Sequence, residues 1–179
     1  LKLKIFMKKI IIIGGAGYIG TVLTQYLLDK QQEVVVIDKF LYQNSYSIQS
    51  FLTNPKFSFF YGDLCDDDFI NKHLKLSTDV IILAGLVGDP ITKKYPELAQ
   101  KINDIGIKKL IDNCNQKKLD KVIFVSTCSN YGLIDENDLA DENYELNPLS
   151  LYSKSKVNIE KYIISSKGNI DYNPSILRF

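Results

Sequence analysis

The sequence predicts an α/β fold built on a doubly wound parallel sheet, and three observations predict it. Short, β-branched apolar runs alternate along the chain with longer helical stretches. Those runs are nearly continuous in apolar residues, the signature of strands buried on both faces. The first run opens directly onto a glycine-rich turn, Gly14-Gly15-Ala16-Gly17-Tyr18-Ile19-Gly20. A repeated strand–helix–strand order implies right-handed crossovers and helices on both faces of the sheet. With 179 residues, 45% of them apolar, the chain holds one such domain and not two.

Strands are expected over residues 9–13, 33–37, 57–61, 79–83, 121–125 and 175–179, and helices over 18–30, 67–74, 96–117 and 150–166. Pro174 falls at the start of the last strand, where a missing N–H is tolerated. Residues 1–8 read as an N-terminal extension running into the first strand, with Met7 as a natural start; residues 9–179 form the domain. The lysine-rich opening resembles a secretion signal only superficially, because the apolar run 10–13 is short and ends in glycines. Two loops, 39–52 and 127–149, are longer than such units require and leave the carboxyl ends of strands, where ligands of open sheets bind.

Composition excludes several functions. A net charge of +1 gives no footprint for nucleic acid or an anionic membrane. No apolar stretch is long enough to span a bilayer. Cys65, Cys114 and Cys128 lack metal or redox spacing, so reduced thiols and a cytoplasmic location are expected. His73 is the only histidine and reads as a helix-surface residue, which removes histidine-based catalysis. No metal site is expected. The run Asp66-Asp67-Asp68 reads as a helix start, with Asp66 as cap and acids complementing the dipole.

In the glycine-rich turn, Gly14 permits the sharp bend, Gly17 lets backbone approach a pyrophosphate, and Gly20 lets helix and strand pack closely. The helix start at Tyr18 and Ile19 offers unpaired N–H groups to the anion. Asp38 follows at the end of the second strand, where a carboxylate accepts both ribose hydroxyls and repels a 2′-phosphate. NAD is therefore expected over NADP, with Lys39 pulling weakly the other way. Far downstream, Tyr152-Ser153-Lys154-Ser155-Lys156 places a phenol and an ammonium at i and i+4 on one helix face. A cation there is expected to lower the phenol pKa from about 10 and make a base of it. Lys154 points away and is expected in solvent.

These segments, with Gly62-Asp63-Leu64, Leu83-Ala84-Gly85, Ser126-Thr127-Cys128-Ser129-Asn130-Tyr131-Gly132 and Ile176-Leu177-Arg178-Phe179, resemble the extended short-chain dehydrogenase/reductases. The likeness is to their NAD-dependent nucleotide-sugar epimerases and dehydratases, of which UDP-galactose 4-epimerase is an example, and it implies a Rossmann-type domain. It implies that Asp63 and Leu64 contact adenine and that Leu83, Ala84 and Gly85 line the nicotinamide side. Asn103, three residues before Gly106, matches the family's Asn-x-x-Gly; its plainer reading is a polar helix residue. Thr127 stands where the family places its catalytic hydroxyl, with Ser126, expected on the opposite face, a lesser candidate. Tyr152 would then take a proton from a sugar hydroxyl while hydride leaves for NAD; Lys156 would hold the tyrosine anionic and bond the nicotinamide ribose.

Family dehydratases carry acids just after the threonine. Here Cys128 and Ser129 occupy those positions, which favours an epimerase or a simple reductase unless Asp135 and Glu136 reach in from the long loop. A nucleotide-sugar substrate and a homodimer through helices near 99–115 and 150–166 are further implications. Family members continue past Leu-Arg-Phe into a smaller lobe that grips the sugar nucleotide. The sequence here stops at Phe179, so most of that lobe is expected to be lacking and isolated turnover to be poor. A reductase or dehydratase using the same tyrosine, and a non-catalytic dinucleotide-binding protein, are the competing readings.

Overall fold

The computed structural model describes residues 8–75 and 77–179, so residues 1–7 of the expected extension lie outside the described residues. Six parallel strands, β1 (Lys9–Ile13), β2 (Glu33–Asp38), β3 (Phe57–Tyr61), β4 (Asp79–Ile82), β5 (Lys121–Ser126) and β6 (Asn173–Arg178), form one sheet ordered β3-β2-β1-β4-β5-β6. Lys8 is already tied to it, its Nζ 2.9 Å from Asp79 Oδ2.

The isoleucine and valine runs make strands because branched side chains pack well on a pleated surface. Successive residues alternate between two cores. Ile11, Ile13, Val35, Ile37, Val80 and Ile82 face one; Ile10, Ile12, Val34, Val36 and Ile81 face the other. Helices α2 (Asp67–Leu74), α5 (Ile107–Cys114) and α6 (Leu151–Ser166) cover the first through Ile70, Leu110 and Ile159. Helix α1 (Tyr18–Asp29) and a 3-10 turn (Ser45–Phe51) cover the second through Leu28, Ile48 and Phe51. The sheet is therefore buried on both sides, as the continuous apolar runs require.

Chain order reverses between β1 and β4, which are neighbours in the sheet. The connections leaving their carboxyl ends run to opposite faces, and a crevice opens between them.

The structure departs from expectation in several places. The helix expected over 96–117 is three segments: α4 (Pro96–Ala99), a π-helical stretch (Gln100–Gly106) and α5. A short helix, α3 (Asp89–Lys94), precedes it; Gly88 at φ 93° turns the chain and Pro90 sits in its first turn. The long loops each contain a 3-10 turn, Ser45–Phe51 and Cys128–Tyr131. The last strand begins at Asn173, and Pro174 is its second residue, on the sheet edge beside β5. His73 is buried rather than on the helix surface. Its ring lies 4.3 Å from both Phe60 and Phe69, and its Nδ1 lies 2.7 Å from the Phe69 carbonyl oxygen. β3 is an edge strand, and α2 packs this flat ring against Phe60, which stays partly in solvent.

Candidate functional site

The crevice is a cleft of roughly 490 Å³ running along the carboxyl ends of β1–β5. Its floor is the glycine-rich turn. Gly14 has φ +82° and its N–H donates to Ile37 O at 2.8 Å. A Cβ there would lie 2.6 Å from the Ala84 backbone, so β1 and β4 approach as closely as they do only over glycine. A Cβ at Gly20 would overlap the backbone of Gly15, which seats α1 directly against the turn. Gly17, Tyr18 and Ile19 also face the cleft, so the N-terminus of α1 points into it.

At one end stand two acids and a lysine. Asp38 accepts hydrogen bonds from Ala16 N (3.1 Å) and Phe40 N (2.7 Å), which fixes its carboxylate across the turn. Asp63 accepts from Cys65 N at 2.9 Å and pairs with Lys39 Nζ at 2.7 Å. Burial pushes the Asp63 carboxyl up, but Lys39 and the Cys65 N–H outweigh it and hold the group below the usual carboxylate range. The same pair raises the Lys39 ammonium.

Asn44 and Ser47 donate to Ala16 O at 2.6 and 2.8 Å, so the loop after β2 is docked on the glycine-rich turn. Asn44 Oδ1 is buried at the cleft with no protein partner. The residue was missed in the sequence: the length of the 39–52 loop marks it as functional, but nothing local says which side chain turns inward. Tyr42 and Val87 from opposite loops also meet over the cleft, Val87 N donating to Tyr42 Oη at 3.3 Å.

Leu64, Leu83, Ala84 and Gly85 line the middle of the cleft. Asn103 does not. It is buried, its Oδ1 accepts from Leu86 N (2.7 Å), and its Nδ2 donates to Leu86 O (2.9 Å). The π-helical stretch carries this side chain to the loop after β4, where it braces the segment holding Gly85; a Cβ on Gly85 would sit 3.0 Å from Asn103 Oδ1.

The far end gathers Ser126, Thr127, Tyr152 and Lys156. The α6 capping box at Ser150 and Ser153 sets the start of the helix that carries the last two. Thr127 directly follows β5 and caps the next turn, its Oγ1 accepting from Ser129 N at 3.2 Å. Ser126 turns its hydroxyl inward to Glu160 at 2.5 Å. Lys156 is buried and donates to Val125 O at 2.8 Å, with its ammonium 5.8 Å from the Tyr152 ring centre. Lys154 is exposed.

One expectation is corrected here. Burial raises the Tyr152 hydroxyl above its ordinary value, and Tyr42, Asp89 and Cys128 push the same way. Lys156 does not lower it, because its Nζ is turned to the strand carbonyl and its own pKa is pushed down by burial to about 8. Asp135 and Glu136 are exposed and outside the cleft lining.

A model of the NAD dependent epimerase/dehydratase family matches residues 10–179. A dTDP-D-glucose 4,6-dehydratase of Dictyostelium discoideum is 33% identical over 90% of this chain and 41% of its own length. A putative UDP-glucose 4-epimerase of Methanocaldococcus jannaschii is 31% identical over 86% of this chain and 49% of its own. The crystal structure of UDP-glucuronic acid 4-epimerase from Bacillus cereus, with UDP-glucuronic acid and NAD, superposes with a TM-score of 0.87 at 31% identity, over 95% of this chain and 55% of that one. The chain thus spans about half the length of the relatives it matches. With the family match running from β1 to the last residue, the chain belongs to the NAD dependent epimerase/dehydratase family.

Proposed function

We propose that this chain is the cofactor-binding portion of an NAD-dependent nucleotide-sugar epimerase. The observation that carries the proposal is continuity: one cleft joins the glycine-rich turn and the Asp38/Asp63 pair at one end to Thr127, Tyr152 and Lys156 at the other. The lining fits a dinucleotide. The N-terminus of α1 suits a pyrophosphate, Asp38 suits ribose hydroxyls, and Asp63 suits the adenine amine. Leu83, Ala84 and Gly85 give a flat wall on the way to Tyr152.

Bound NAD would supply the hydride acceptor and donor for one sugar carbon. The chain's own residues would do the rest. Burial leaves Tyr152 resting as a neutral phenol at pH 7, so it must first give up its proton; the phenolate would then take the proton of the reacting sugar hydroxyl as hydride leaves and return it when hydride comes back. Lys156, with a pKa of about 8, is still largely protonated at pH 7 and brings positive charge to the same helix face. Thr127 orients the sugar oxygen. Epimerisation is favoured over dehydration because Cys128 and Ser129 follow Thr127 and the acids of the long loop stay outside the cleft. The dehydratase relative at 33% identity supports the second reading, dehydration with the same tyrosine.

Replacing Tyr152 by Phe tests the proposal. In the intact protein, interconversion of UDP-sugar epimers should fall by about a hundredfold or more, while NADH affinity, read by fluorescence titration, stays within about twofold. A collapse of affinity would make Tyr152 a structural residue. Formation of a 4-keto-6-deoxy product would select dehydration, and net NADH consumption would select a reductase.

A further inference from the structure

We infer that Asp63 sets the cofactor preference of this cleft by holding Lys39 away from the ribose 2′ position. The inference rests on the dinucleotide reading and deepens it. Lys39 directly follows Asp38, the ribose-binding acid, so its ammonium starts beside the site a 2′-phosphate would occupy. Among the described residues, the only other cation facing the cleft is Lys156, which is buried at the opposite end and bonded to Val125 O. Lys39 is therefore the group positioned to neutralise such a phosphate.

The structure turns it elsewhere. Its Nζ lies 2.7 Å from Asp63 Oδ2, across from the end of β2 to the end of β3. Asp63 cannot follow the lysine back, because its Oδ1 accepts the Cys65 N–H at 2.9 Å. Asp38 is equally fixed by Ala16 N and Phe40 N. Two carboxylates and one ammonium leave this end with one net negative charge, set against a phosphate that brings more. Without the Asp63 charge the same end is neutral and carries a free ammonium beside Asp38. Preference for the dinucleotide lacking the phosphate thus depends on a residue of the next strand, in addition to the acid at the end of β2.

Fluorescence titration of NADH and NADPH against the full chain provides the test, read as the ratio of the two affinities. Any contact of Asp63 with adenine is common to both ligands and cancels. Asp63→Asn keeps an acceptor for Cys65 N and should raise the NADPH:NADH ratio about fivefold, the scale of a half-exposed charge pair. Lys39→Met alone should leave the ratio within about twofold, and the double variant should erase the gain of Asp63→Asn. A ratio unmoved in Asp63→Asn overturns the inference. So does weaker NADPH binding in Lys39→Met, which remains decisive where Asp63→Asn does not fold. A gain that persists in the double variant would mean that loss of the carboxylate acts directly, without the lysine. If the unmodified chain binds neither dinucleotide, the proposed function falls as well; if it binds NADH normally and only the ratio fails to move, this inference falls alone.

Discussion

Two ion pairs of the same length, one lining the cleft at the ends of β2 and β3 and one packed behind Ser126 at the far end, contrast in a way that separates specificity from construction. Lys39 and Asp63 meet at 2.7 Å with side chains 50% and 33% exposed; Arg178 and Glu160 meet at 2.7 Å with side chains 16% and 1% exposed. The first joins two loop ends, and Asp63 additionally accepts the Cys65 N–H. The second is the centre of a network. Glu160 also accepts from Ser126 Oγ (2.5 Å) and Asn130 Nδ2 (2.7 Å), while Arg178 donates to Tyr131 Oη (3.1 Å) and Glu142 O (3.2 Å). One turn earlier on α6, Lys156 holds Val125 O. Successive residues at the end of β5 are thus stitched to successive turns of α6, and Thr127 is the next residue along. Equal distance does not mean equal energy. Water screens the first pair, whereas the second depends on every partner being present.

The largest expected effect breaks the buried network. Glu160→Ala leaves Arg178 largely buried without a counter-charge and the buried Ser126 hydroxyl without its acceptor, and should cost about 3–5 kcal/mol. Urea denaturation at pH 7 measures it. A loss under about 1 kcal/mol would put this pair in the same class as the exposed one and end the contrast.

The two ends also differ in how far the sequence reveals them. The end at the glycine-rich turn is legible because its signals are local: a glycine turn, a helix start and an acid closing a strand all follow in one strand–helix–strand unit. The strands were readable for a related reason, since Ile10 to Ile13 serve two cores at once and leave no polar face. At the far end, Tyr152 and Lys156 are found by their i, i+4 spacing and Thr127 by the family resemblance, but their electrostatics are not. The state of Tyr152 depends on burial and on Lys156 turning to Val125 O, a contact 31 residues distant. Glu160, four residues past Lys156, gives no local sign of its role, because its partners lie on β5, β6 and the turn at Asn130. Asn103 is marked in the sequence only by its Asn-x-x-Gly spacing; its bonds to Leu86 are made from a π-helical stretch that no helical periodicity announces.

A second effect sharpens the contrast through pH. Burial drives Lys156 from 10.5 to about 8, with Glu160 opposing. Between those values the unfolded chain keeps a proton that the folded chain has released, so stability rises with pH; below pH 8 both forms hold it and the burial cost stands in full. Lys156→Met removes this dependence. From pH 7.5 to 9 the stability of the natural chain, measured by urea midpoints, should therefore gain about 1 kcal/mol relative to the variant. Contributions from other titrating groups are common to both chains and cancel in the comparison. A difference that stays flat would show that Lys156 keeps its ordinary pKa and that this end of the cleft is wetter than its geometry implies.

The smallest effect belongs to the exposed pair. Lys39→Met removes a cation that is half in solvent and leaves Asp63 still held by the Cys65 N–H. The cost in stability should be under about 1 kcal/mol and should vanish as salt is raised toward 1 M, where screening acts over only about 3 Å. Urea midpoints at low and high salt check both statements. A larger, salt-insensitive loss would mean that Lys39 supports the fold as Arg178 does. The loop ends of β2 and β3 would then owe their spacing to the ion pair, and its removal would disturb the binding of both dinucleotides rather than the choice between them.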